Sequence, residues 1–290
     1  MDLRLVNLET AITTHPHPWP KGINYRMHPD NLPFLQVAGL DCAVLANNPV
    51  FLWDRQGLLD TLAHLRQAGI GTAGSGRDAR EAAAPAILQA SGAHLLGFAM
   101  GHRSAGISPE WAAGPAQPDV HLLEELSPQT LARFAEQLFC YQRPGDLLLT
   151  SLHWGGNWGY AVPPDHRRFA HALLDLPPHP RPFLAPCDEI RDGRPIPWRC
   201  GDFRNDYEGI EGDAEFRGDL AVAWLPQFRG PPWQLASFEA AVFRIRRMPL
   251  KRAPAADRDW LCARLARESG RFGVQVEAGA SNRLHFLWQA

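Results

Sequence analysis

The chain is an ordinary globular sequence of 290 residues, of which 45% are hydrophobic and 21% charged. Its 29 basic and 31 acidic side chains give a formal net charge of −2, a balance that excludes a surface built to neutralise nucleic-acid phosphates. No run approaches the roughly 18 apolar residues that a membrane-spanning helix needs, and the first residues do not resemble a signal peptide. We therefore expect a cytoplasmic protein.

Short apolar runs alternate with amphipathic segments over the first two-thirds of the chain. Asp54 is expected to cap the first of the predicted helices and Gly69 to close it. The alternation predicts a layered α/β domain. Its strands are predicted at Leu3–Leu8, Cys42–Ala46, His94–Met100 and Asp146–His153, and its helices at Gln56–Gln67, Ala79–Ala90 and Ser127–Tyr141.

The remaining chain has a different texture. A proline-rich segment from Pro177 to Pro197 predicts a long irregular crossover or a disrupted element. Beyond it we predict strands at Leu220–Leu225, Phe238–Arg246 and Leu284–Trp288, a turn at Gly230-Pro231-Pro232 and a helix at Asp257–Glu268. We assign residues 1–232 to the main domain, and residues 233–290 to strands and a helix that complete the same domain.

Three polar clusters follow predicted strands. The strand that ends at His153 continues into a loop of glycines and aromatic residues, whereas Asn7-Leu8-Glu9-Thr10 and Asn47-Asn48 follow two other strands. A carboxylate, an amide oxygen and an imidazole form a mixed ligand set that suits manganese, iron or zinc. The alternative is a core histidine packed among aromatic rings, with the asparagines forming turns.

Several longer strings resemble the CapA/PgsA family of capsule and poly-γ-glutamate synthesis proteins. They are Asp2–Thr13, Trp19–Pro29, Leu45–Asn48, Ala68–Ile70, Ser151–Tyr160 and Cys200–Ile210. The resemblance implies a calcineurin-like metallophosphoesterase fold, which is a β-sandwich flanked by helices with a two-metal site at its strand ends. It implies that Glu9, Asn48 and His153 bind metal and that His153 takes part in catalysis.

Further residues are candidates for contacting a substrate. Arg26 could present its guanidinium to an anionic group, and the alternative is a structural ion pair. Asp202 and Asn205 could extend the polar wall of the pocket, and the alternative is that they cap turns. Trp154 and Asn157, in the loop after His153, complete this set.

The sequence departs from the family it resembles at three places. The family's first strand, whose aspartate binds the second metal, would lie before residue 1, so we expect that an N-terminal segment is missing. Pro49 stands where the family has a histidine that assists the leaving group. Only His179 represents the histidine-rich motif expected before Cys200. We therefore expect at most one well-formed metal site and little phosphoesterase activity.

These observations predict a CapA-like capsule or poly-γ-glutamate synthesis protein of metal-dependent hydrolase ancestry. Its partners would be an anionic polymer or a phosphoester, together with other capsule-synthesis proteins. Two alternatives stay open. One is a non-catalytic accessory protein that keeps the scaffold, and the other is a metal-dependent peptide epimerase.

Overall fold

The described residues form two compact units, of which one contains residues 2–156 and 163–176 and the other residues 161–162 and the chain from 189 onward. This mixed α/β structure confirms the predicted fold class. The calcineurin-like layered sandwich and the division after residue 232 stay predictions. The computed structural model describes residues 2–90, 92–156, 161–176, 189–196, 198, 203, 217–231, 233–246 and 249–289.

The first unit carries short parallel strands and most of the helices. Its described strands are β1 (Leu5–Asn7), β2 (Ala11–Ile12), β3 (Arg26–Met27), β4 (Cys42–Val44), β5 (Gly71–Ala73), β6 (Ser75–Gly76), β7 (Ala86–Ala90), β8 (Ala93–His102), β9 (Asp119–Val120), β10 (Leu122–Leu123) and β11 (Leu147–His153). Its described helices are α1 (Leu32–Val37), α2 (Asp54–Gln67), α3 (Ala79–Ala83), α4 (Pro128–Tyr141) and α5 (Pro164–Leu174).

Two parallel arrangements place the polar clusters at strand ends. One sheet has the order β1–β4–β5, and the other has β8 between β10 and β11 with β7 antiparallel to β8. In the second sheet His153 lies opposite Gly101. Parallel strands end at a common edge, so residues that follow β1 and β4 leave the first sheet together. The predicted strands at these positions are confirmed, with shorter bounds for β1 and β4.

Helix α2 confirms one of its predicted end signals and contradicts the other. Gly69 follows the helix with a left-handed φ of 75°, which is the usual glycine stop. Asp54 does not cap it, because the preceding Trp53 occupies the cap position without a side-chain bond. Asp54 itself has a φ of 59°, and its carboxylate accepts a hydrogen bond from the neighbouring Arg55 N–H at 2.7 Å.

The predicted helix over Ala79–Ala90 is wrong in its second half. Helix α3 stops at Ala83, and β7 begins at Ala86. Pro85 explains the change, because a proline disfavours helical backbone at the residue before it, and Ala84 is extended with a ψ of 144°. In β7 burial then alternates along the strand, as a half-buried strand requires.

The second unit is an antiparallel sheet with one helix packed on β17. Strand β15 pairs with β14, β16 and β18, and β18 pairs with β17. Its core contains Phe238, Val242, Leu284 and Phe286, and Trp224 stacks on Phe238 with ring centres 5.8 Å apart. The described elements are β12 (Glu189–Arg191), β13 (Arg194–Ile196), β14 (Leu220–Arg229), β15 (Gln234–Ile245), β16 (Leu250–Arg252), α6 (Ala255–Ser269), β17 (Gln275–Ala278) and β18 (Arg283–Leu287).

The prediction of an irregular crossover is wrong for the part of this segment that the structure describes. Residues 177–188 and 197 lie outside the described part of the chain. Strands β12 and β13 form an antiparallel hairpin within the remainder. Glu189 and Ile196 are buried there, and Trp198 Nε1 donates to Glu189 Oε2 at 3.2 Å. In the described ranges no helix is both long and apolar enough to cross a bilayer.

Candidate metal centre

The structure brings together the three residues predicted to bind metal. Strand β1 ends at Asn7 and β11 ends at His153, and Glu9 and Asn48 follow β1 and β4. His153 Nε2 lies 3.2 Å from Asn48 Oδ1, and His153 Nδ1 lies 3.8 Å from Glu9 Oε1. Residues 105 positions apart in sequence therefore share one edge of the first unit. Their role as metal ligands stays a prediction.

A fully buried asparagine organises this edge. Asn47 Nδ2 donates to Asn7 Oδ1 at 2.8 Å and to the Leu8 carbonyl at 3.0 Å, while its Oδ1 accepts from the Val50 N–H at 3.1 Å. Asn7 Nδ2 in turn donates to Glu9 Oε1 at 2.6 Å. These bonds tie the ends of β1 and β4 together and position Glu9. Sequence reasoning assigned Asn47 no role beyond membership of a turn or a polar cluster.

Glycines allow the segment before Asn47 to approach β8 closely. A Cβ at Gly101 would lie 2.9 Å from the Ala46 carbonyl oxygen, and one at Gly74 would lie 2.5 Å from the Ala46 Cβ. Gly74 also has a left-handed φ of 88°, which a residue with a side chain rarely adopts. The backbone that carries Asn47 and Asn48 is therefore held against the strand that pairs with β11.

The electrostatics of His153 favour a neutral ring. Burial lowers the pKa of His153 to about 4, because desolvation disfavours the charged imidazolium. A neutral imidazole has one nitrogen with a lone pair, which is the form that binds a metal ion. The ring remains 21% exposed, so a small ion or a water molecule has access.

The spacing of the amide oxygen and the imidazole nitrogen is compatible with two ligands of one shared ion. Ligand atoms about 2.0–2.2 Å from a common ion lie roughly 3 Å from each other, and the Asn48 Oδ1 to His153 Nε2 separation of 3.2 Å has this value. Glu9 lies on the other ring nitrogen, where a carboxylate commonly orients a metal-binding histidine. Within the described ranges, no group of three or more His, Cys, Asp or Glu side chains has the geometry to hold an ion.

The loop after His153 is fixed from two sides. The Gly155 N–H donates to Ser104 Oγ at 2.9 Å, and Ser104 Oγ lies 2.8 Å from His102 Nδ1. Trp154 stacks on the buried His166 with ring centres 4.4 Å apart. Sequence reasoning missed His102, Ser104 and His166. The signal available was that His102 lies two residues after the predicted strand His94–Met100, close to its end, just as His153 ends another predicted strand.

The predicted substrate-binding residues are placed in part. Arg26 is exposed on β3, with its guanidinium carbon 4.1 Å from the ring centre of Trp53, and it donates to the His15 carbonyl at 3.1 Å. Among the residues that the structure describes, Arg26 makes this cation–π contact and no ion pair. The predicted residues Asn157, Asp202 and Asn205 lie outside the described residues, as does His179.

Comparisons with known proteins define the class of this chain. The family model of the bacterial capsule synthesis protein PGA_cap matches residues 1–207. The chain therefore belongs to this capsule synthesis family, and the resemblance seen in the sequence is confirmed. Two relatives, both described as a probable polyglutamine synthesis accessory protein, come from Mycobacterium tuberculosis strains CDC 1551 / Oshkosh and ATCC 25618 / H37Rv. Each is 37% identical over 298 residues, covering 99% of this chain and 77% of the relative.

Proposed function

We propose that this chain is an accessory protein of bacterial poly-glutamate capsule synthesis that binds a single divalent ion, manganese, zinc or iron. The observation that carries the proposal is the 3.2 Å separation of Asn48 Oδ1 and His153 Nε2 at the strand ends. Membership of the capsule synthesis family and the accessory role printed for the two relatives support the biological setting. A calcineurin-like fold of metal-dependent hydrolase ancestry is part of this proposal.

Asn48 and His153 would hold the ion directly. Glu9, beside the other ring nitrogen, would orient His153 or complete the ligand set. A divalent ion at such a site lowers the pKa of a bound water and polarises a phosphoryl or carbonyl oxygen. The chain's own contribution is to keep the imidazole neutral and the Asn48 carbonyl oxygen fixed beside it.

The substrate of this site would be an anionic polymer or a phosphoester. Arg26 is held against Trp53 on one face and donates to the His15 carbonyl. Within the described part of the chain its other N–H groups are left for a carboxylate or a phosphate. We propose that other capsule-synthesis proteins are its partners, since an accessory protein works alongside a synthase.

Pro49 favours a second candidate, a scaffold without catalytic activity. It stands directly after Asn48 and is buried at the start of a short 3-10 turn, and a proline has no group that protonates a leaving oxygen. Glu9, Asn48 and His153 form at most one ion site, so the two-ion clamp of phosphoesterases is not supplied by these residues.

The test combines metal stoichiometry with kinetics on the purified chain. After incubation with manganese or zinc and removal of free ions, we expect one bound ion per chain and phosphodiester hydrolysis close to the uncatalysed rate. His153→Ala should lose the ion, whereas His64→Ala in α2 should keep it. Two tightly bound ions with robust hydrolysis, both abolished by His153→Ala, would overturn the proposal. A chain that binds no ion while remaining folded would leave only the scaffold candidate.

A further inference from the structure

A short turn after β8 lies next to both proposed ion ligands. Strand β8 runs beside β11 with Gly101 opposite His153, and it continues into the 3-10 turn Arg103–Ala105. The turn ends at Gly106, which has a left-handed φ of 78°. A Cβ added at Gly106 would lie 3.9 Å from Asn48 Nδ2. The turn therefore leaves the sheet beside His153 and passes close to Asn48.

Ser104 joins this turn to the loop that follows His153. Its Oγ accepts a hydrogen bond from the Gly155 N–H at 2.9 Å, and Gly155 has a left-handed φ of 84°. Glycine reaches this backbone conformation without the strain that a side chain brings. Because the bond restrains the chain two residues beyond His153, the hydroxyl fixes the direction in which the loop leaves β11.

The orientation of the Ser104 hydroxyl follows from its neighbour His102. Because Oγ accepts from Gly155, its own proton is available to donate to His102 Nδ1, which is 2.8 Å away. The same nitrogen accepts a hydrogen bond from the Ser104 backbone N–H at 3.3 Å, so it carries a lone pair and the proton of the neutral ring lies on Nε2. Burial lowers the pKa of His102, which favours this neutral form.

We infer that Ser104 is a positioning residue of the ion site, with His102 holding its hydroxyl in place. The inference rests on the proposed function, since it takes Asn48 and His153 as the ligands. A ligand that is held in the binding geometry before the ion arrives loses less conformational freedom on binding. Through Gly155 the hydroxyl restrains the loop after His153, and the same turn lies beside Asn48.

A purely local role for Ser104 makes a different prediction. The next 3-10 turn, Pro109–Trp111, is capped by Ser108, whose Oγ accepts from the Glu110 N–H at 3.4 Å. Among the described residues, Ser108 makes no hydrogen bond to the loop after His153. If both serines only stabilised their turns, removal of either hydroxyl would change stability and leave ion affinity unchanged.

The test is manganese titration of the full chain, in which the electron paramagnetic resonance signal of the free ion reports binding. We expect Ser104→Ala to weaken manganese binding about tenfold, because it removes a group that supports a metal ligand. Ser104→Thr, which keeps the hydroxyl, should restore most of the affinity, and Ser108→Ala should leave it unchanged. Ser104 is exposed, so its variants are expected to fold, and circular dichroism checks this.

Hydrogen exchange of the Gly155 amide, measured without metal, checks the contact itself. Exchange should be faster in Ser104→Ala than in the wild-type chain or in Ser108→Ala. Manganese affinity that is unchanged in Ser104→Ala, or lowered equally in Ser108→Ala, would overturn the inference and leave the proposed function intact. So would a Ser104→Thr chain that binds manganese no better than Ser104→Ala. A folded wild-type chain that binds no ion would overturn the proposed function, and this inference with it.

Discussion

Two regions of this protein, the strand ends of the first unit and a charged cluster in the second, use polar side chains in opposite ways. At the strand ends of the first unit, the polar groups are mostly uncharged and face one another through lone pairs and N–H groups, as Asn48 and His153 do. In the charged cluster of the second unit, the charges neutralise one another. Arg217 donates to Asp219 at 2.7 Å and to Asp257 at 2.9 Å, and Arg244 donates to Asp257 at 3.2 Å.

This contrast supports the proposal that the binding site lies at the strand ends of the first unit. A carboxylate that already accepts hydrogen bonds from two guanidinium groups has little capacity left for a ligand. We therefore assign the cluster around Asp257 a structural role. An amide oxygen and a neutral imidazole at the end of parallel strands keep the capacity to bind an ion. The second unit instead contributes stability through its aromatic core, in which Phe238 and Phe286 lie 4.9 Å apart between ring centres.

Substitutions in the aromatic core of the second unit should lower the free energy of unfolding most. Phe238 is 2% exposed, and Phe238→Ala should lower the free energy of unfolding by about 3–5 kcal/mol, because it removes buried area and leaves a cavity. Chemical denaturation measures the change. Phe203, which is 42% exposed, is the matched control, and Phe203→Ala should cost less than about 1 kcal/mol. Equal effects of the two substitutions would contradict the description of the core.

Two neighbouring asparagines of the first unit should differ in their effect on stability, because Asn47 holds the strand ends together and Asn48 is proposed to bind the ion. Asn47→Ala should cost about 2–4 kcal/mol, since it leaves Asn7 Oδ1, the Leu8 carbonyl and the Val50 N–H without their partner. Asn48→Ala should cost less than about 1 kcal/mol, because the side chain is only partly buried. Thermal and denaturant unfolding check both. If Asn48→Ala proved more destabilising than Asn47→Ala, Asn47 would not be the residue that holds the strand ends together.

Asp119, in the first unit, is a buried carboxyl group that has no cationic partner at bonding distance among the described residues, unlike Asp257 in the second unit. It is fully buried in β9, and its Oδ2 has no hydrogen-bond partner among the described residues. Burial raises the pKa of Asp119 to about 8, so the folded state holds a proton that the unfolded state releases near pH 4. The stabilisation is therefore complete below pH 4 and is lost as the pH rises towards 8.

We expect the free energy of unfolding to fall by on the order of 2 kcal/mol between pH 6 and pH 7.5 through Asp119 alone. Asp119→Asn should remove most of this slope, because an amide does not titrate. Urea unfolding at a series of pH values measures it. A variant with an unchanged slope would show that the Asp119 carboxyl does not keep its proton at neutral pH.

Removal of a charge from the ion-paired cluster around Arg217 should change the free energy of unfolding least. Arg217→Ala should cost about 1 kcal/mol at low salt, since the side chain is partly exposed and its ion pairs are screened by solvent. The cost should shrink in 1 M salt, where the Debye length is about 3 Å. If Arg217→Ala lowered the free energy of unfolding by much more than Asn47→Ala does, the charged cluster would matter more for stability than the Asn47 hydrogen bonds, contrary to this expectation.

The sequence predicts the elements whose pattern is local. Strand β11 and helix α4 lie within about one residue of their predicted ends, and Ser127 accepts from the Thr130 N–H at 3.3 Å as a helix cap. The break between α3 and β7 is missed, because alanines satisfy helical spacing while Pro85 decides the backbone. A search for hydrophobic periodicity alone does not detect the effect of a single proline on the backbone.

The candidate site is predictable to a similar extent. Glu9 and Asn48 follow strands and His153 ends one, and each lies in a string that resembles the family, so their proximity can be anticipated. The hydrogen bonds of Asn47 and the contact of Ser104 with Gly155 depend on which strands are neighbours. Pairing of this kind joins residues far apart in sequence, and no local pattern encodes it.

The most direct test of the metal centre is pulsed electron paramagnetic resonance of the chain loaded with manganese. We expect one bound ion per chain, with nitrogen modulation from a directly bound imidazole. His153→Ala should abolish the nitrogen signal, Asn48→Ala should weaken binding, and His64→Ala should change neither. A nitrogen signal that persists in His153→Ala, or a folded wild-type chain that binds no manganese, zinc or iron, would contradict the account.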